Sequence, residues 1–383
     1  MRPTTRISVV AVAALEMFAL GVALPAAPAI AQTPPSFTYD PSFPATLPHH
    51  WILNIVKGLT VDKHDNVWIV QQSTGGNTDN YAAERNPPTA DCCVHAPAVM
   101  AFNPKGEIIA AWGGPGYVPG WPLLEHTIVV DNEDHVWIGG NAAGDTLLEF
   151  TKDGKLIRDW GHRGPRFKGR AVAMKQDNQE TDLLLRGTSS IAFDEKQHEV
   201  FIADGYLNKR VMVYDLDTGA FKRGWGAYGK PLSEIGNEWA PARKPNEGPR
   251  KDFTPAVHCV VISNEGLLYV CDRNGNRIQV FTKAGKYLRE YIIKPATLGI
   301  GTTAGLAFSS DANQTWMYVA DIENATVWIV NRKTGDIVGH IGRRGVEGGN
   351  FMEPHVMAAD SKGNLYVGEA GRYARVQKFR VGK

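Results

Sequence analysis

The feature that most constrains this chain is a pattern it repeats six times. Each copy has a hydrophobic strand ending in Asp or Ser, a short turn, a strand of the type VWIV, a loop, a strand of the type RVMVY, and, where the copy is complete, a turn and a further strand. The first copy reads GLTVDKHDNVWIV from Gly58 to Val70, then AVMAF and EIIAAWG. The second opens HTIVVDNEDHVWIGG at His126, and the third runs SIAFDEKQHEVFIADGYLNKRVMVYD from Ser190 to Asp215. The fourth, Phe253 to Phe281, is the clearest: FTPAVHCVVISNEGLLYVCDRNGNRIQVF, followed by KYLREYI. The fifth begins AGLAF at Ala304, and the sixth, HVMAADSKGNLYVGEAGRYARVQKF from His355, stops after three strands. Four-strand units spaced by roughly 40–50 residues predict an all-β, six-bladed β-propeller. The missing strand of the sixth unit is expected from Trp51 to Val56, which would close the ring from the N-terminal side and leave no open sheet edge.

This reading assigns residues 51–383 to the propeller, residues 32–50 to a proline-broken leader segment and residues 1–31 to a signal peptide. Arg2 and Arg6 precede an apolar run from Ile7 to Leu24, and Ala29-Ile30-Ala31 offers small residues for cleavage before Gln32. Glu16 within the run and the breaks at Pro25 and Pro28 disfavour a membrane span. The expectation is a periplasmic or secreted protein with no membrane association after cleavage. A net charge of +1 gives no electrostatic footprint for nucleic acid. Four cysteines suit an oxidising compartment. Cys92 and Cys93 are adjacent, and Cys259 faces Cys271 if the hairpin turns about Glu265; a bridge and two packed thiols are both open there.

Aligned on the Asp or Ser that ends each first strand, His126, His258 and His355 fall at one register, five residues before Asp131, Ser263 and Asp360. The equivalent positions elsewhere are Lys57, Ser189 and Ala304. First strands line a propeller's channel, so three imidazoles from alternate blades would meet at the axis about 120° apart. Three histidines with an open fourth position suit a catalytic zinc or another divalent metal. Tyr206 and Arg273 occupy matching loops after second strands, at the same mouth. A phenol beside positive charge can act as a base, and a guanidinium can hold an anion. Asp272 and Glu369, across their hairpins from His258 and His355, are candidates to orient the imidazoles. Glu125 and Glu353 lie close enough in sequence to add ligands or meet substrate.

These residues resemble those of the peptidyl-α-hydroxyglycine α-amidating lyases, propellers of the NHL-repeat type. The likeness runs from Trp51 to Phe379 and is sharpest in ADGYLNKRVMVY, CDRNGNRIQVF and the F-x-x-P-x-x-H and F-x-E-P-H strand entries. It implies a zinc held by His126, His258 and His355, a catalytic tyrosine at Tyr206 and an active-site arginine at Arg273. It also implies cleavage of a carbinolamide C–N bond to an amide and glyoxylate. Three positions depart from the family pattern: Gln72 stands where a second arginine is expected, Glu353 replaces a methionine, and Val356 replaces an aspartate that helps bind calcium. Backbone carbonyls matching the other calcium ligands, at Leu59 and Ile128, remain, but losing the carboxylate removes most of that site's charge.

The expected activity is thus an exported metal-dependent lyase acting on a small-molecule or peptide-like substrate. The alternatives are a lactonase-like metal-dependent hydrolase on the same scaffold and a non-catalytic binding propeller.

Overall fold

The computed structural model describes residues 33–73, 81–142, 147–160, 175–181 and 185–382, so the proposed signal peptide falls outside the described residues. Pro34–Lys383 form one compact unit. Six four-stranded antiparallel sheets follow one another along the chain among these residues. Their inner strands are Val56–Val61, Glu125–Val130, Thr188–Asp194, Val257–Ile262, Gly305–Phe308 and Pro354–Ala359.

Burial explains why the strands read as they do. A blade is covered on both faces by its neighbours, so second strands such as VWIVQ (Val67–Gln71) and EVFIAD (Glu199–Asp204) are buried along their whole length. Outermost strands have one wet face and alternate, as in LIRDW (Leu156–Trp160) and IVGHI (Ile337–Ile341). Six hydrophobic clusters form, each between two adjacent blades. The one joining the last blade to the first packs Tyr366 and Val376 against Val56, Ile69 and Phe102. This apolar seam closes the ring.

The strand that completes the sixth blade differs from expectation. Phe37–Asp40, within the stretch read as a leader, pairs antiparallel with Val376–Val381, placing Phe37 opposite Val381 and Tyr39 opposite Phe379. The Phe37 ring meets Tyr318 edge-on at 5.3 Å. Trp51–Ile52 instead forms a short parallel pair with Val94–His95. The reason lies in Asn54, a buried polar residue whose backbone N–H donates to the Gln71 side chain at 2.6 Å and whose amide donates to Glu84 at 3.0 Å. Those bonds hold the segment against the first blade. FTYD, short and rich in β-formers, suits the outer edge.

Cys259 and Cys271 are register partners and are joined as a disulfide, as are the adjacent Cys92 and Cys93. Among the described residues no helix is long and apolar enough to cross a membrane.

A chain starting at Ser42 should lose closure that a chain starting at Thr33 retains. Removing Phe37–Asp40 forfeits a strand pairing and two aromatic contacts, on the order of 2–4 kcal/mol. Comparing urea midpoints of the two forms checks this; equal midpoints would contradict it.

Candidate metal centre

Each inner strand but the fifth carries a register irregularity at its loop-side end. Pairing skips between Val56 and Gly58, Glu125 and Thr127, Thr188 and Ser190, Val257 and Cys259, and Pro354 and Val356. The skipped residues are Lys57, His126, Ser189, His258 and His355. A bulge leaves one residue out of the ladder and re-aims its side chain. Here it frees those residues from the ladder, and the three histidines among them converge.

The three imidazoles consequently meet. Their ring centroids lie 5.3, 5.2 and 4.7 Å apart and their planes are tilted 78–84° from one another, close to a threefold arrangement. One ligand nitrogen from each lies within 4.8 Å of the others. All three residues are buried. His126 Nδ1 donates to the carbonyl of Ser189 at 3.0 Å, and His258 Nδ1 to that of Ala304 at 2.5 Å. Each acceptor is the residue at the same register in the next blade. These bonds fix the tautomer with the proton on Nδ1, which leaves the Nε2 lone pairs facing inward. His355 Nδ1 has no hydrogen-bond partner among the described residues.

Tyr206 fills the loop side of this triangle. Its hydroxyl lies 2.7 Å from His126 Nε2, 3.0 Å from His258 Nε2 and 3.4 Å from Arg273 Nη1. The Arg273 guanidinium sits 5.6 Å over the tyrosine ring. One hydroxyl proton cannot satisfy two inward lone pairs, so the converging atoms suit a cation. Three nitrogens from three histidines match the donor set of an imidazole-bound divalent metal. The calcium position fits less well: Val356 offers no side-chain oxygen and packs with the apolar seam residues.

The loops carrying Tyr206 and Arg273 are built alike. Asp204 accepts from Arg210 Nε and Asp272 from Arg277 Nε, both at 2.8 Å and both fully buried, so each ion pair ties the loop's two ends together. Gly205 lies where a side chain would collide with the Val257 backbone, the residue before His258. Only glycine lets the tyrosine loop cross so near His258.

Several sequence candidates have other roles. Asp272 does not orient His258; besides Arg277 it accepts from the Thr254 and Gly275 backbones. Glu369 does not reach His355; it accepts from Arg375, Gln377 and the Met352 backbone. Backbone carbonyls of the next blade, at Ser189 and Ala304, orient His126 and His258 instead. Glu125 accepts from Ser73 and Trp121, at 2.5 and 2.7 Å to Oε1, which braces the loop. Gln72 donates its backbone N–H to Ile55. Glu353 is partly buried, its carbonyl accepting from Ala370 N and its charge acting on Lys57. A second cluster, Asp131, His135 and Glu149, is accounted for by protein partners, since Glu149 already pairs with Arg158 at 2.7 Å.

The residue that sequence reasoning located without a role is Lys57. Burial and the nearby Arg273 charge pull its pKa down to about 8, while Glu353 opposes the shift. The imidazoles are held well below their ordinary range. Burial is the main cause for all three, with the positive charges of Lys57 and Arg273 adding to it. They are therefore neutral, as metal ligation requires.

Two outcomes follow. Metal analysis of purified protein should find about one divalent ion per chain, lost in His258→Ala; wild-type protein that takes up no ion would contradict the assignment. In metal-stripped protein, the unfolded imidazoles bind protons below about pH 6.5 and the folded ones do not, so stability should fall as pH drops from there towards about 5. A flat series of urea midpoints over that range would contradict it.

The NHL repeat family matches residues 257–281, the first three strands of the fourth blade. Peptidyl-glycine alpha-amidating monooxygenase B of Xenopus laevis is 30% identical over 275 residues, covering 68% of this chain and 26% of that protein. Peptidyl-alpha-hydroxyglycine alpha-amidating lyase 1 of Drosophila melanogaster is 23% identical over 366 residues, covering 90% of this chain and 60% of the relative. The chain thus spans about a quarter of the length of the first relative. A structural-genomics protein of unknown function from Bacteroides thetaiotaomicron shares the fold, with a TM-score of 0.52 at 13% identity over 86% of this chain and 70% of that one. With six blades, an NHL-repeat match and these relatives, the chain is similar to the amidating-lyase-like NHL-repeat β-propellers.

Proposed function

We propose that this protein is an exported, divalent-metal-dependent lyase that cleaves a C–N or similar bond of a small hydroxylated substrate. The observation that carries the reading is the meeting of three neutral imidazoles, a phenol and a guanidinium at the loop end of the channel. The amidating relatives support it. Export rests on the signal-like N-terminal segment. His126, His258 and His355 would hold the metal, with zinc the natural choice for imidazole donors. When bound, it would polarise a substrate oxygen as a Lewis acid.

The chain's own groups supply the rest. On a carbinolamide, Tyr206 as phenolate accepts the hydroxyl proton. The freed electron pair forms the C=O bond as the C–N bond breaks, and the pair from that bond goes to nitrogen. The amide leaving group then takes the proton back from Tyr206. Atoms and charge balance with neither water nor an oxidant consumed. Arg273, on the phenol oxygen and over its ring, is placed to stabilise negative charge there. The ion pairs Asp204–Arg210 and Asp272–Arg277 hold the two loops in place, so the groups arrive pre-positioned.

Metal-replete protein should release glyoxylate from an N-acyl-α-hydroxyglycine, followed by a colorimetric aldehyde assay. Tyr206→Phe should lower the rate by about 10²–10⁴, the usual weight of a positioned base. No carbonyl product from such compounds would sink the lyase reading, and acid release from a lactone would replace it with a hydrolase.

A further inference from the structure

We propose that Lys57 is a substrate-binding residue which, with Arg273, holds a carboxylate carried by the substrate next to its reacting carbon. This deepens the lyase reading and rests on it for the word substrate; the anion site itself stands on separate observations.

The first is position. Lys57 is the bulge residue of the first blade's inner strand, the same place that delivers the three histidines to the axis. Its strand packs between those carrying His126 and His355, and its charge acts on all three imidazoles. Arg273 enters from the fourth blade, on the far side, and reaches the phenol oxygen of Tyr206. The two cations thus bracket the triangle.

The second is charge. Neither Lys57 nor Arg273 forms an ion pair with a carboxylate among the described residues, although 40 acidic residues are present in the chain and the arginines that end the Tyr206 and Arg273 loops are paired at 2.8 Å. Glu353 is the carboxylate acting on Lys57, but no ion pair joins them. Partly buried cations without a counter-ion are costly to keep. A divalent ion would add two more positive charges. An anionic ligand removes that cost, and one carboxylate oxygen can meet each cation. The chemical class is therefore a small 2-hydroxy carboxylate, with the hydroxyl towards the histidines.

The experiment compares binding of glycolate and its neutral analogue glycolamide to the metal-replete full chain by calorimetry. Wild-type protein should prefer glycolate. Lys57→Met keeps the aliphatic stem and removes the charge; it should weaken glycolate roughly tenfold to a hundredfold, the range for a charged hydrogen bond, and leave glycolamide unchanged. Lys57→Arg should recover most of the loss. Metal content should be equal in all three. The proposal is overturned if wild type shows no preference, if Lys57→Met binds glycolate like wild type, or if it loses metal or both ligands alike, as a merely structural residue would. Preference for glycolate through Lys57 without cleavage of hydroxyglycine compounds would reject the lyase reading and keep this one. Cleavage with KM unaffected in Lys57→Met would do the reverse.

Discussion

Six inner strands share one axis, so whatever each presents at its loop-side end must coexist within a few ångströms of the others. That constraint governs the rest of the molecule. The apolar seams between blades fix the strands around the axis, and the bulges turn one residue per strand inward. Alternate blades offer histidine; the intervening blades offer Lys57 and the carbonyls of Ser189 and Ala304. The metal-site geometry is thus a by-product of ring closure. Packing far from the centre, such as Tyr366 against Phe102 in the last seam, bears on where the imidazole nitrogens stand.

Electrostatics then gives the site its character. Burial keeps the imidazoles neutral, and the nearby cations reinforce this. The carboxylates that might have neutralised those cations are committed elsewhere. Asp204, Asp272 and Glu369 each clamp an arginine at the far end of a loop. The same residues that make the loops rigid therefore leave the mouth positive and ready for an anion. Rigidity and charge selection come from one set of ion pairs.

Much of this was legible in the residues. The repeat showed the blades, because a sheet covered on both faces needs apolar second strands and tolerates polar alternation only at its rim. The common register of His126, His258 and His355 showed that these three side chains share one level. Two things were misplaced. Trp51 to Val56, which directly precedes the first unit, is the expected closing strand, whereas Phe37–Asp40 takes that place, since an outer strand needs edge pairing more than hydrophobicity. The imidazole acceptors were sought among carboxylates across the hairpin, whereas neighbouring-blade carbonyls take that role. A backbone carbonyl has no signature in sequence, so only its register position could have pointed to it.

The sequence by itself determined the number of blades, the alternation of buried and exposed strands, and which side chains share a level. These are local properties, written in periodicity and spacing. Tertiary structure alone decided that Lys57 has no ion-pair partner among the described residues, that Tyr206 reaches two imidazoles at once, and that Asp272 is taken up by Arg277, Thr254 and Gly275. Each depends on distances between blades far apart in the chain, set by how six sheets close on themselves and by where each bulge aims its residue.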